Sequence, residues 1–189
     1  MKASDFIEFN PRLSLKKGTL ATKIAMDKLQ PFTKRIDITE KALYSGGAKF
    51  CNGDTILARI TPCLENGKTA FVDILQEGEA GFGSTEFIVM RAKEGVSDPQ
   101  FVYYVAISPF FRERAIKSMV GSSGRQRVQQ SVIENLELSV PPLQIQKEIG
   151  SFLSEIDKKI AVNNQINDNL ADLLQTIYQE PVSYTHLTL

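Results

Sequence analysis

The sequence is poor in the residues that most often carry metal-dependent and acyl-transfer chemistry. Its 189 residues include one histidine and two cysteines. Cys51 and Cys63 form no CxxC pair, and a structural zinc site needs about four Cys or His ligands, so the composition argues against zinc. A serine hydrolase needs a histidine base, and the single histidine, His186, lies among the last residues. We therefore predict no catalytic residues and no metal site.

Long apolar runs are also missing. None approaches the roughly 20 residues that a bilayer-spanning helix needs. The first five residues precede no apolar block of the kind that a secretory signal contains. We therefore expect no membrane association and a cytoplasmic protein, whose two cysteines are free thiols in a reducing compartment.

The sequence also has no excess of positive or negative charge, because its formal net charge is zero. The zero is a cancellation: residues 1–140 hold 19 Lys and Arg against 16 Asp and Glu, whereas residues 141–189 hold 3 against 6. Five basic residues and one acidic residue fall between Arg112 and Arg127. A charge run is most often only solvated surface, but this asymmetry indicates a local anion-binding face.

Fragments of nucleotide-binding motifs occur, and each lacks a required part. Residues 67–69, Gly-Lys-Thr, match the end of a phosphate-binding loop, yet Pro62 stands where that loop needs its first glycine. Residues 81–83, Gly-Phe-Gly, match the beginning of a dinucleotide loop, yet Glu86 stands at the third glycine position. The sequence therefore predicts no nucleotide cofactor, and no other cofactor is indicated.

Fragments of DNA-modifying catalytic sets fail in the same way. Asp54, Glu65 and Lys68 resemble a metal-dependent nuclease set, but the spacing from Glu to Lys is one residue too long. The proline pair at 141–142 is typical of amino-methyltransferases, but Val140 replaces the residue that would bind the target amine. These absences favour a binding module over an enzyme.

The first 140 residues predict an α+β domain, with a mixed or antiparallel sheet and flanking helices, because strand-like and helical segments do not alternate regularly. Predicted strands cover residues 55–60, 68–72, 87–91 and an edge strand at 136–140. Predicted helices cover residues 99–119, broken at Pro109, and residues 128–133.

A long helix is predicted after the proline pair, over a segment 141–180. Residues 143–179 contain no proline and one glycine. Apolar side chains recur in steps of three and four, which is typical of a coiled-coil seam of roughly 55 Å. The alternative is an amphipathic helix lying on its own domain. The seam positions are Ile149, Phe152, Ile156, Asn163, Ile166, Leu170, Leu173 and Ile177.

Two features of this segment carry separate expectations. Asn163 falls at a core position of the seam, where a polar residue fixes register and orientation at a cost in stability; the alternative is local fraying or a kink. Pro181 is expected to end the helix. Residues 181–189 are then a tail that does not belong to the fold, and His186 carries no functional weight.

Several stretches in a fixed order resemble the specificity subunit of type I restriction–modification systems. They are residues 10–18, 53–69, 81–87, 121–128 and 138–143, followed by the long helix. Within them, residues 60–69 read Ile-Thr-Pro-Cys-Leu-Glu-Asn-Gly-Lys-Thr, and residues 121–128 read Gly-Ser-Ser-Gly-Arg-Gln-Arg-Val. The similarity extends over roughly residues 5–180.

The resemblance implies a division of labour. A specificity subunit carries two target-recognition domains, each followed by a helix, and the two helices pack antiparallel as a spacer. It reads a split site in double-stranded DNA, while separate methyltransferase and restriction subunits perform the chemistry. This sequence holds one recognition domain and one helix. We therefore expect a homodimer through the helix, or a fragment whose second recognition half is missing.

The residues expected to contact DNA combine guanidinium, amide, ammonium and hydroxyl groups in loops. Arg can bind guanine and Gln can bind adenine with paired hydrogen bonds, while hydroxyl and ammonium groups suit phosphates. The candidates are Arg59, Lys68, Ser84, Thr85, Ser122, Ser123, Arg125, Gln126 and Arg127. Two other functions stay open: the recognition end of a fused restriction–modification enzyme, and a protein-interaction module built on the coiled coil.

Overall fold

Eight short strands form two four-stranded sheets in the computed structural model, which describes the backbone of residues 1–185 and the side chains of residues 1–178. His186 lies outside the described residues. The first sheet has the order β1-β8-β5-β6 and is antiparallel throughout. The second has the order β3-β2-β7-β4, with β2 and β7 parallel. The strands are β1 (Ile7–Phe9), β2 (Leu20–Ile24), β3 (Glu40–Leu43), β4 (Lys49–Phe50), β5 (Thr55–Ala58), β6 (Thr69–Phe71), β7 (Gly81–Gly83) and β8 (Phe87–Ala92).

The central strands of the first sheet are buried on both faces. Successive side chains of a strand point to opposite faces. Ile56 and Val89 accordingly pack toward the second sheet, whereas Leu57 and Ile88 pack toward the helices. The first sheet is therefore the middle layer between two hydrophobic cores, and this confirms the predicted α+β class.

Three of the five described α-helices begin at a proline or directly after one. The helices are α1 (Ala3–Phe6), α2 (Pro99–Ile107), α3 (Pro109–Lys117), α4 (Gln130–Glu134) and α5 (Leu143–Thr185). Asp98 caps α2 by accepting a hydrogen bond from the Phe101 amide, and Ser108 caps α3 through the Phe111 amide. Each capping side chain precedes a proline, which is the favoured first residue of a helix. The predicted break at Pro109 is confirmed.

The predicted edge strand at 136–140 is wrong. Leu136 and Leu138 do exchange backbone hydrogen bonds with residues 1–3. Ala3, however, already begins α1, so the pairing shrinks to one isolated bridge between Lys2 and Glu137. The alternating pattern is real, but the partner segment is too short to form a ladder.

Glycine-rich residues 81–83 form strand β7, the central partner of β2 and β4. A Cβ atom on Gly83 would lie 2.5 Å from the Ile24 carbonyl oxygen and 2.8 Å from the Phe87 ring. Glycine is thus required for the close approach of this strand to its neighbours.

An ion pair links the two central strands at one end. The Arg91 guanidinium donates to both carboxylate oxygens of Asp54, with N–O distances of 2.7 Å each. Asp54 is 1% exposed and also accepts a hydrogen bond from the Cys51 amide. Burial, followed by the nearby Asp54 charge, raises the pKa of the Cys51 thiol. Asp54 therefore has a structural role rather than that of a metal ligand.

The chain divides into two units, Met1–Gly150 and a second that begins at Ser151. The first turns of α5 belong to the first unit and are fixed by Gln146, which is 2% exposed. Its side-chain nitrogen donates to the carbonyl oxygens of Val96 and Pro141, and its oxygen accepts from the Asp98 amide. One buried amide thus joins the beginning of α5 to the beginning of α2.

The described part of the second unit consists of the remainder of α5. The helix continues to Thr185, so the prediction that Pro181 ends it is wrong. The fixed φ of proline is compatible with a helix, and its cost is the loss of one backbone hydrogen bond and a local clash. No helix of the described chain is both long and apolar enough to cross a bilayer.

Candidate nucleic-acid interface

Three segments that are distant in sequence meet beside β5. The Arg59 amide donates to the Glu86 carbonyl at 2.9 Å, and the Arg59 carbonyl accepts from the Val128 amide at 2.9 Å. The Thr61 amide donates to the Gln126 carbonyl at 3.0 Å. The backbone therefore brings together eight of the nine residues expected to contact DNA, since residues 84–86 and 121–128 flank Arg59; the ninth is Lys68.

Residues 121–126 form the tip of a hairpin. Val120 and Arg127 exchange two backbone hydrogen bonds of 2.9 and 3.0 Å, and the Arg125 amide donates to the Ser122 carbonyl. Gly121 has φ +135°, and a Cβ atom there would lie 2.9 Å from the Arg125 carbonyl oxygen. The hairpin leaves the side chains of Ser122, Ser123 and Arg125 exposed to solvent.

Arg127 is paired inside the protein. Its Nε donates to Glu86 Oε2 at 2.9 Å, and its Nη2 donates to Glu86 Oε1 at 2.7 Å. The side chains are 46% and 24% exposed, respectively. The hydrogen bond from Arg127 lowers the pKa of the Glu86 carboxyl, although burial opposes the shift. The same bond raises the pKa of the Arg127 guanidinium. Sequence reasoning singled out Arg127 and missed Glu86, which lies 41 positions away.

Arg59 lies on the other side of the same carboxylate. Its Nε is 4.0 Å from Glu86 Oε2, which is too long for a hydrogen bond. That nitrogen is buried and has no hydrogen-bond partner in the described part of the chain. Glu86 therefore sits between two guanidinium groups and is bonded to one of them.

A cleft of about 340 Å³ opens next to Arg59. Its polar wall includes Asn10, Lys49, Arg59 and Thr85, and its apolar wall includes Phe87. Sequence reasoning missed both Lys49 and Asn10. An isolated lysine in a short strand carries no local signal. Asn10 did carry a signal, because it precedes a proline and adopts φ +48°, a conformation that asparagine tolerates better than most residues.

Ser84, Thr85 and Lys68 differ in how many hydrogen bonds their side chains already make inside the protein. Ser84 accepts a hydrogen bond from the Glu86 amide at 3.1 Å and so shapes the turn, while Thr85 is exposed. Lys68 donates to the Met26 carbonyl at 2.9 Å, which leaves two of its three N–H donors for another partner. The backbone of Lys68 lies next to β5, because its carbonyl accepts from the Ala58 amide.

Several side chains of the basic run from Arg112 to Arg127 already contact other groups of the protein. The Arg112 guanidinium lies over the Phe32 ring, 4.8 Å from its centre, and donates to the backbone carbonyls of Leu64 and Glu65. Lys117 lies 3.8 Å from Glu113 on the same helix. Arg114, which lies 5.5 Å from the Phe110 ring, and Arg125 are the exposed members for which the described residues supply no ion pair.

The second unit exposes a row of large apolar side chains. Phe152 is 67% exposed. The other predicted seam residues of this unit, Ile156, Ile166, Leu170, Leu173 and Ile177, are between 41% and 55% exposed. Asn163 is also exposed. Exposed apolar surface of this extent is typical of regions that interact with another molecule.

Comparisons with known proteins agree with one another. Residues 2–172 match the family model described as the type I restriction modification DNA specificity domain. The chain is 37% identical over 109 residues to the EcoAI specificity subunit of Escherichia coli, which covers 58% of this chain and 18% of that protein. It is 34% identical over 111 residues to the EcoEI specificity subunit of the same species, with coverages of 59% and 18%. The chain thus spans about a fifth of the length of these relatives.

Solved structures show the same fold. The HsdS subunit from Thermoanaerobacter tengcongensis superposes with a TM-score of 0.67 at 17% identity, over 95% of this chain and 47% of that one. A chain from a study of complex assembly and conformational transition of the type I R-M system gives a TM-score of 0.64 at 16% identity, over 95% and 48%.

Proposed function

The chain belongs to the family of type I restriction modification DNA specificity domains, and on that premise we propose that it binds double-stranded DNA and reads its base sequence. The observation that carries the proposal is the convergence of residues 59–61, 84–86 and 121–128 on one surface. That surface presents guanidinium, amide and hydroxyl groups on backbone segments tied to one another by hydrogen bonds. These are the groups that read base edges and grip phosphates.

The hairpin tip is the best candidate for direct readout. Its glycines allow close approach to DNA, and Arg125 and Gln126 carry paired donors and acceptors that match guanine and adenine. Arg59, Lys49 and Thr85 border the neighbouring cleft and suit contacts with the phosphate backbone. Ser84 and Lys68 then support the surface, each with one bond already made inside the protein.

We expect no catalysis by this chain. Among the residues whose side chains are described, no group of three or more His, Cys, Asp or Glu lies close enough together to hold a metal ion. The relatives bear the name of specificity subunits, so the recognition end of a fused enzyme is not favoured. Methyltransferase and restriction subunits are the proposed partners for catalysis, and a DNA-binding function implies a cytoplasmic location.

The exposed face of α5 is the proposed subunit interface. Its occupant is a second α5 helix, supplied by another copy of this chain. The apolar row follows a heptad pattern, which requires a facing helix of comparable length, and the described helices of the first unit have at most nine residues. A second recognition half in a longer protein would supply the same kind of helix.

Salt-dependent DNA binding tests the proposed function. Replacing both Arg125 and Arg127 by Ala should weaken binding to duplex DNA and flatten the log–log salt dependence by about 0.9 per lost phosphate contact. Of the two single variants, Arg127→Ala should weaken binding more than Arg125→Ala, because it also removes the hydrogen bonds that the Glu86 carboxylate accepts. Fluorescence anisotropy with a labelled duplex at several salt concentrations measures both quantities.

The matched control removes the same charge elsewhere. Lys158 and Lys159 are exposed on the second unit, and replacing both by Ala should leave affinity and slope close to those of the parent. Equal affinity of parent and hairpin variant at every salt concentration would exclude this surface as the DNA contact. A parent without salt-dependent affinity would favour a protein-interaction module instead.

A further inference from the structure

Glu86 is an acidic residue at the centre of the proposed DNA-binding surface. Glu86 lies within 4.0 Å of both Arg59 and Arg127 and would face the phosphate backbone with the wrong charge. Its main chain is fixed by two hydrogen bonds, one from the Arg59 amide to its carbonyl and one from its own amide to Ser84 Oγ. Glu86 is therefore built into the surface rather than attached to it by a flexible loop.

The hydrogen bonds of Arg127 use only part of its donor set. A guanidinium has five N–H donors. Glu86 takes the Nε–H and one Nη2–H, so the second Nη2–H and both Nη1–H groups remain. Within the described residues, Nη1 makes no hydrogen bond. The free edge consists of two parallel N–H groups, which match the O6 and N7 acceptors of guanine in the major groove.

We propose that Glu86 is a positioning residue for specificity: it holds the Arg127 guanidinium so that its free edge reads a guanine. This rests on the proposed DNA-binding function. An exposed arginine samples many rotamers, and fixing it before binding removes an entropic cost that it would otherwise meet at the interface. Because the carboxylate holds Nε and Nη2 together, it also fixes the plane in which the guanine must lie.

The alternative is that Glu86 only competes with DNA for Arg127. Competition requires the pair between Glu86 and Arg127 to separate when DNA binds. The two parallel hydrogen bonds between them oppose this separation, and the free edge of Arg127 makes it unnecessary. The two ideas also differ in outcome, since a competitor lowers affinity for every sequence, whereas a positioning residue raises preference for one base.

The test is base preference, measured by selection of duplexes from a library with randomised positions. The full chain would be compared with Glu86→Ala, Arg127→Lys and the double variant. Arg127→Lys keeps the charge but loses the paired donors. Glu86→Ala and Arg127→Lys should each reduce the preference for guanine at the same base pair, by roughly 5- to 150-fold at most. Since both act on one contact, the double variant should lose no more than Arg127→Lys alone.

Glu113→Ala is the control, because Glu113 is exposed and lies beside Lys117 on α3; its preferences should equal those of the parent. Unchanged guanine preference in Glu86→Ala, with higher affinity for all sequences, would establish competition and overturn the proposal. Preferences that fall together at every position, with a lower melting temperature than the control, would show a purely structural role and overturn it as well. A parent that selects no duplex would instead refute the proposed function.

Discussion

Single residues in this fold act mostly through partners far along the chain. Asp54 bonds to Arg91, and Glu86 bonds to Arg127, across 37 and 41 positions. A sequence shows the residue types but not such pairings, because the strand order that brings them together is set by the whole sheet. For this reason Arg127 could be predicted as a candidate, whereas Glu86, Lys49 and the structural role of Asp54 could not.

Glu79 gives a prediction at this scale for stability at low pH. Its carboxylate accepts hydrogen bonds from Lys41 Nζ at 2.6 Å and Thr22 Oγ1 at 2.5 Å. These bonds lower its pKa from 4.5 to about 2. The unfolded state therefore takes up this proton at a higher pH, so the stabilisation is complete above pH 4.5 and is lost as pH falls toward 2. A pKa shift of one unit corresponds to about 1.36 kcal/mol. Because Lys41 is partly solvated, the contribution of Glu79 to the free energy of unfolding is discounted to below about 3 kcal/mol.

Urea unfolding of Glu79→Gln at several pH values checks this. The variant should be less stable than the parent above pH 5, and the difference should vanish near pH 2. Glu77→Gln, at an exposed neighbouring position, is the control and should follow the parent. A constant difference at all pH values would contradict the assignment.

Elements could be predicted where local signals are strong. Strands β5, β6 and β8 lie at predicted positions, because each is a run of β-branched and aromatic residues. Strand β7 was missed because two of its three residues are glycines, which pack closely but have low strand propensity. The break between α2 and α3 was predicted because proline and the capping serine act locally.

Gln146 gives a prediction for how α5 begins. Gln146→Ala removes three hydrogen bonds and leaves buried backbone groups without partners, so it should destabilise the protein by about 1–3 kcal/mol. Gln144→Ala makes the same change at an exposed position of the same helix and should cost much less. Chemical denaturation of both variants measures the difference, and equal stabilities would show that the buried amide contributes nothing.

Asn163 gives a prediction for the helix seam. Asn163→Leu should raise the melting temperature and loosen the choice of oligomeric state, because a polar core residue costs stability and fixes orientation. Asn164→Leu is the matched control one position along, off the seam. If both variants have the same melting temperature and keep the parent's stoichiometry, Asn163 faces solvent in the assembly and its assignment to a core position of the seam is wrong.

At the scale of the whole molecule, the proposed assembly is a homodimer joined through α5. Light scattering at micromolar concentration should give twice the mass of one chain, and Ile166→Glu together with Leu170→Glu should give a monomer. Asn164→Glu is the control at an exposed position off the seam and should stay dimeric. A monomeric parent would favour the fragment interpretation, in which a missing second half supplies the facing helix.

Twofold symmetry in such a dimer carries over to the DNA. Two identical recognition units need two identical half-sites, so the target should be an interrupted palindrome. Mapping of methylated bases in the source genome shows whether this holds, and an asymmetric target would contradict a homodimeric reader.

The pairing of residues 1–3 with residues 136–138 has a consequence for how such proteins change over time. The Ala3 amide donates to the Leu136 carbonyl at 2.8 Å, so the two ends of the segment 4–135 lie next to each other. We expect that recombination at these two ends would replace the segment as a block and change the proposed DNA-contacting surface, while α5 is inherited unchanged.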